Sequence, residues 1–219
     1  MEALWIFVEI MLINIVLSGD NAVVIAMASQ NLHPKDRKKA VWWGALGAVV
    51  LRIALTAVAV FILKIPFIEA LGALLLLYIA IKLTGEGGEE RELKASRHLL
   101  SAVWTIIVAD FIMSLDNVLA VAAIADGHLG ILIAGIALSI PMIIWGSTMM
   151  MSWMDRYPVL HLAGAAILAY TAGEMLVRDA AVQHWLKHVH TSYEWVIPVM
   201  AILLVLLSSR TAAFRRNKG

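Results

Sequence analysis

The chain has no cysteine among its 219 residues. That absence excludes disulfide staples, thiolate metal ligands and a thiol nucleophile together, so any metal site must use oxygen or imidazole. Charge is also scarce and nearly balanced. Lys and Arg number 17 against 16 Asp and Glu, and the formal net charge of +1 is too small to attract a polyanion such as nucleic acid. No His-Glu-x-x-His pair and no Gly-x-Ser-x-Gly elbow occurs, so an intramembrane enzyme would lack its ligands or its nucleophile. A non-enzymatic role is expected. The first apolar run lacks a basic n-region and a small-x-small cleavage site, and is expected to be a retained helix rather than a signal peptide.

What fills the chain instead is apolar: 62% of its residues are hydrophobic and the mean hydropathy is +0.86, above what a soluble domain of this length carries. An all-α membrane protein is expected. Runs able to cross about 30 Å of hydrocarbon fall near 3–28, 40–63, 66–82, 99–125, 128–151, 158–178 and 194–210, about seven transmembrane helices. Lys35, Arg37, Lys38 and Lys39 follow the first span; Arg91, Lys94 and Arg97 follow the third; Arg210, Arg215, Arg216 and Lys218 lie in the tail. The intervening connections are poor in Lys and Arg. Basic residues mark cytoplasmic connections, so the N-terminus is expected outside and the C-terminus inside. Trp5, Trp104, Trp153, Trp185 and Trp195 fall near span ends and read as interface anchors.

The two halves repeat. Ser18-Gly19-Asp20-Asn21 recurs 96 positions later as Ser114-Leu115-Asp116-Asn117. Pro66, Gly72-Ala73, Tyr78, Ala80 and Lys82 recur 92 positions later as Pro158, Gly164-Ala165, Tyr170, Ala172 and Glu174. Single matches follow from common helix-packing preferences; a sustained register does not. The expected organisation is repeat one over 3–82, a cytoplasmic linker over 83–98, repeat two over 99–178, an extracellular segment over 179–193, a last helix over 194–210 and a basic tail over 211–219. Three spans per repeat is an odd number, so the second copy enters the bilayer from the opposite side. That is the inverted 3+3 repeat of many secondary transporters, whose substrate site lies near the midplane.

Acids at bilayer depth are expensive, about 2.5 to 3.5 kcal/mol each on insertion scales, and point to a water-lined pathway or a bound cation. At 1.5 Å rise per residue, Asn14 and Asp110 fall near mid-membrane, while Asp20 and Asp116 lie about 9 Å towards opposite faces. Helical spacing puts Asn14, Ser18 and Asn21 on one face, and Asp110, Ser114 and Asn117 on another. Asp20 and Asp116 lie off those faces, and Gly19 offers a place where the first helix can unwind and present carbonyls. Carboxylates, amides, hydroxyls and carbonyls are the ligands of hard divalent cations. Three ionised acids would repel one another when the site is empty, which argues for bound protons or a basic partner. Arg52, near the middle of the second span, is the basic residue so placed. A counter-charge to the empty site and a structural ion pair both account for it.

These residues resemble the TerC family of bacterial membrane proteins, within the larger group that includes the LysE exporters. The likeness rests on the paired Ser-x-Asp-Asn segments, the Asp110-Phe-Ile-Met-Ser114 spacing and the three-plus-three-plus-one span count, and covers about residues 3 to 210. The resemblance implies Mn²⁺ efflux from the cytoplasm, with links to tellurite resistance and to metal supply for exported metalloenzymes. It also implies a metal site at Asp20, Asn21, Asp110, Asp116 and Asn117. No permanently bound cofactor is expected; Mn²⁺ is the substrate, and exchange with H⁺ the coupling. A metal-delivery module working with a secretion-pathway partner, or export of another cation or an amino acid, are the alternatives. A homo-oligomer is compatible with either. Relatives often carry an acid where this chain has Asn14. Glu9, eleven residues before Asp20, is a candidate replacement or a plain vestibule acid. Glu174 is carried as a coupling candidate, with ordinary solvation as the alternative.

Two further clusters have ordinary explanations. Met142, Met149, Met150, Met151 and Met154 are expected as core and lipid filler. His184 and His188, four residues apart, either chelate a departing metal or decorate a surface helix.

Overall fold

The computed structural model describes residues 19–62, 65–85, 95–125, 129–186 and 193–216. Among these residues every regular element is an α-helix. In chain order they are α1 (Gly19–Gln30), α2 (Pro34–Ile62), α3 (Ile68–Gly85), α4 (Ala95–Ala125), α5 (Leu129–Arg156), α6 (Val159–Arg178), α7 (Ala180–Leu186) and α8 (Tyr193–Arg216).

Several helices outrun their apolar cores. α2 begins at Pro34, not near residue 40, because proline suits the first helical position and Asp36 favours the positive end of the helix. His33 carbonyl accepts from the Asp36 and Arg37 amides at 2.8 and 3.0 Å, closing that first turn. With 29 residues, α2 is about 44 Å long and projects beyond a hydrocarbon layer of about 30 Å. α5 likewise continues to Arg156 and α8 to Arg216. The segment expected to link the sixth and seventh spans holds the short helix α7.

Pro34–Thr56, Ile133–Arg156 and Val159–Arg178 are each long and apolar enough to cross a membrane, and Leu99–Leu115 and Tyr193–Ser209 are shorter apolar stretches. Large apolar side chains cover the outside of α2, α3, α4 and α8: Trp43, Leu71, Leu74, Leu100, Trp104 and Leu207 are all exposed. A surface of this kind is unfavourable in water and favourable against lipid. The chain is an integral membrane protein.

The chain divides into two units, Met1–Ile62 with Glu92–Asp155, and Leu63–Arg91 with Arg156–Gly219. In the first unit α2 and α4 run parallel. Ala40 packs with Ala102, Leu55 with Phe111, and between them Gly44 and Gly47 face Ile106 and Ile107. A Cβ at Gly44 would lie 2.7 Å from Ile106 Cδ1, and one at Gly47 2.6 Å from Ile107 Cδ1. Helices in lipid gain little from hydrophobic contact with one another, so such close approach is what holds them. α1 runs antiparallel to α4: Asn21 meets Asp110, while Leu32, just past the end of α1, packs with Ala102.

In the second unit α3 and α6 are antiparallel and pinned at both ends. His161 Nε2 is 3.0 Å from the Leu83 carbonyl, and at the far end Asp179 Oδ2 accepts from the Ala70 amide at 3.1 Å. Asp179 Oδ1 also accepts from the Ala181 and Val182 amides at 2.9 and 3.1 Å. One buried carboxylate thus caps the N-termini of α3 and α7 together. α8 packs on α6 where Gly173 faces Pro198, with 2.4 Å between a built Cβ and Pro198 Cα. The turn into α3 places Phe67 in the left-handed region at φ 63°, uncommon for a residue with a side chain.

Candidate functional site

Three helices of the first unit bring four polar side chains into one buried cluster. Asn21 from α1, Arg52 from α2, and Asp110 and Ser114 from α4 are 2%, 3%, 6% and 0% exposed. Asp110 and Ser114 sit one turn apart, so both face inward and Ser114 Oγ donates to Asp110 Oδ2 at 3.2 Å. Asn21 Nδ2 donates to Asp110 Oδ1 at 2.8 Å. Arg52 closes the cluster as a fork: its Nη2 pairs with Asp110 Oδ1 and its Nε donates to Ser114 Oγ at 2.9 Å. Thr56 Oγ1 donates to the Arg52 carbonyl at 2.8 Å and helps fix that turn of α2.

One oxygen is left over. Asn21 Oδ1 is buried and meets no donor among the described residues. Its orientation is set chemically: reversing the amide would set its oxygen against the Asp110 carboxylate. A buried acceptor without a partner is costly unless something else satisfies it. Asp20, next in sequence, is partly buried, its Oδ1 accepting from the Asn21 amide at 2.9 Å, and it lies within Coulombic reach of Arg52 and Asp110. The oxygens of Asp20, Asn21, Asp110 and Ser114 suit a hard cation. Among the described residues no group of three or more acidic or histidine side chains lies close enough together to hold a metal ion. Among the described residues, the acids in this cluster are Asp20 and Asp110.

Of the residues singled out from sequence, Asp20, Asn21, Arg52, Asp110 and Ser114 therefore come together. Asp116 and Asn117 lie further along α4, their side chains outside the described residues, as are Glu9, Asn14 and Ser18. Gly19 is helical and opens α1; any unwinding ahead of it falls outside the described residues. Glu174 belongs to the second unit, where it accepts from Tyr170 and pairs with Arg178, both at 3.5 Å. His184 is exposed on α7, and His188 is outside the described residues.

Sequence reasoning passed over Asp179 and the pair of Arg37 Nη1 with Asp155 Oδ2 at 2.9 Å. An acid directly before Ala180-Ala181 is a helix N-cap signal and was there to be found. The Arg37–Asp155 pair joins α2 to α5 across 118 positions, and no local pattern announces it.

The fold and the cluster define a helical integral membrane protein with a buried, charge-paired polar centre. The model for "Integral membrane protein TerC family" matches residues 1–218, and the chain belongs to that family. It is 42% identical over 197 residues to the uncharacterized membrane protein YjbE of Bacillus subtilis, covering 90% of both chains. It is 28% identical over 169 residues to the uncharacterized membrane protein YceF of the same organism, covering 73% of this chain and 65% of that one. With the UPF0053 inner membrane protein YgdQ of Escherichia coli it shares 27% identity over 175 residues, 72% of this chain and 73% of the relative. No solved structure matches it.

Proposed function

We propose that the protein is a secondary transporter that exports divalent cations, Mn²⁺ foremost, from the cytoplasm in exchange for H⁺. The observation that carries this reading is the unpartnered Asn21 Oδ1 beside the Asp110 carboxylate. Acids at bilayer depth mark ion pathways by default, and while Arg52 offsets the charge of Asp110, the amide oxygen beside it stays a costly buried acceptor that a bound cation would satisfy. The preference for Mn²⁺ rests on the family resemblance, and the coordinating chemistry agrees with it.

Helix direction supports the transport mechanism. The repeat pairs the first helix of each half, and α1 and α4 run antiparallel; it pairs the third helix of each half, and α3 and α6 run antiparallel as well. Each compact unit draws from both halves of the chain. An inverted repeat has these properties, and rocking of the two repeats around a midplane site would open that site to either side in turn. Asp20, which has no fork from Arg52 in the way Asp110 has, is the acid assigned to proton exchange.

Purified protein in proteoliposomes with an internal pH dye tests the proposal. Wild type is expected to move Mn²⁺ against protons under an imposed gradient, and Asp20→Asn and Asp116→Asn to reduce flux by more than the about 10- to 100-fold that loss of an outer-shell partner costs a metal site. Wild-type flux in a folded Asp20→Asn variant would remove that residue from the site. Tight metal binding without flux would identify a metal-delivery module instead.

A further inference from the structure

The guanidinium of Arg52 occupies the ground a transported cation must take. It holds Asp110 Oδ1 and Ser114 Oγ at once, and Asn21 donates to the same Asp110 oxygen. An ion entering to use the Asp110 carboxylate has to displace Arg52 from it. We infer that Arg52 is a tethered competitor that bars monovalent cations from the carboxylate and gives way only to a divalent one. The inference rests on the cation-transport reading of the cluster and extends it to selectivity.

The argument is one of charge and geometry. A Na⁺ or K⁺ ion replacing the guanidinium exchanges one positive charge for another, so the attraction to Asp110 is unchanged in kind. It forfeits two directed hydrogen bonds held by a planar, preorganised fork. It also gives up hydration that the fork, already in place, does not have to lose. A divalent ion brings a second charge. That charge acts on Asp20 as well as Asp110, both of which Arg52 already influences, and the ion supplies Asn21 Oδ1 with the partner that Arg52 leaves it without. Monovalent ions far outnumber trace metals in any cell, so a site built on carboxylates and an amide needs such a filter to be of use. Burial supports the assignment. Arg52 at 3% and Asp110 at 6% exposure sit where bulk water does not screen the competition.

Mn²⁺ binding to the full-length protein in nanodiscs, at equal ionic strength in choline chloride or in potassium chloride, reads the filter directly. Wild type is expected to bind Mn²⁺ equally in both salts. Arg52→Gln, which removes the competitor but keeps polar bulk, is expected to bind Mn²⁺ about tenfold or more tighter in choline, since charge-assisted bonds are no longer broken, and to lose most of that gain in potassium. Arg52→Lys keeps the charge without the fork and is the variant to rely on if Arg52→Gln does not fold. It is expected to bind Mn²⁺ more tightly than wild type by a smaller factor while staying indifferent to potassium. Wild-type affinity in Arg52→Lys, a folded Arg52→Gln that is neither tighter nor sensitive to potassium, or a wild type that potassium inhibits, overturns the competitor role and leaves the cation site standing. Absence of Mn²⁺ binding in wild type and variants alike removes the cation-site reading, and the competitor role with it.

Discussion

Removing either half of the Arg52–Asp110 pair strands the other in a pocket with almost no access to water. Loss of one partner of a buried pair typically destabilises by about 3–5 kcal/mol, while replacing both together by groups of similar shape is far milder. Asp110→Asn alone should therefore lower the unfolding temperature markedly, and Arg52→Met with Asp110→Leu should recover much of the loss. The eight tryptophans give an intrinsic fluorescence signal for melting curves of the single and double variants in detergent. Additive losses would mean that the pair is not coupled. At this scale the sequence was partly readable. Asn21 and Ser114 stood out as members of a repeated motif, Asp110 as an acid at its fixed spacing, and Arg52 as a base in an apolar run. Their meeting was not readable. Asn21 and Asp110 are 89 positions apart, and nothing local states which of several intramembrane polar groups a given arginine will choose.

Helix ends show the same division at the next scale. Apart from α7, each described helix overlaps one of the apolar runs, as burial in lipid requires a continuous backbone hydrogen-bond ladder. Several ends lie beyond those runs, at Pro34, Ala95, Arg156 and Arg216, because a helix stops where its capping chemistry changes and not where its polarity does. Pro34 starts α2 among charged residues, and Asp179 ends α6 while opening α7. Asp179 is the more consequential, since its second oxygen caps α3 from 109 positions away. Asp179→Ala should cost about 1 kcal/mol at each of the two caps, roughly 2 kcal/mol in all, and Asp179→Asn should recover part of it by keeping one acceptor oxygen. Protease sensitivity of the segment between α6 and α8 should rise in the alanine variant if α7 depends on that cap. A melting temperature unchanged from wild type would show that water caps both helices adequately.

For the molecule as a whole, the expected orientation and span count meet in one parity test. His33 lies between α1 and α2, and Gln183 lies on α7, so five helices, α2 to α6, separate them. If each of the five crosses, the odd number of crossings puts the two positions on opposite sides of the membrane. The basic residues around His33, namely Lys35, Arg37, Lys38 and Lys39, make the cytoplasm the expected side by the positive-inside rule. The chain has no cysteine of its own, so single substitutions His33→Cys and Gln183→Cys supply unique labelling sites, and both positions are exposed. A membrane-impermeant maleimide should label Gln183→Cys in intact cells and His33→Cys only in inverted vesicles. The reverse pattern would keep the five crossings and invert the orientation, carrying the assigned cytoplasmic loops to the other face. Labelling of both positions from one side would make the number of crossings even. In that case at least one helix between α2 and α6 does not span, the second half no longer enters from the opposite face, and a transport cycle built on an inverted repeat loses its basis.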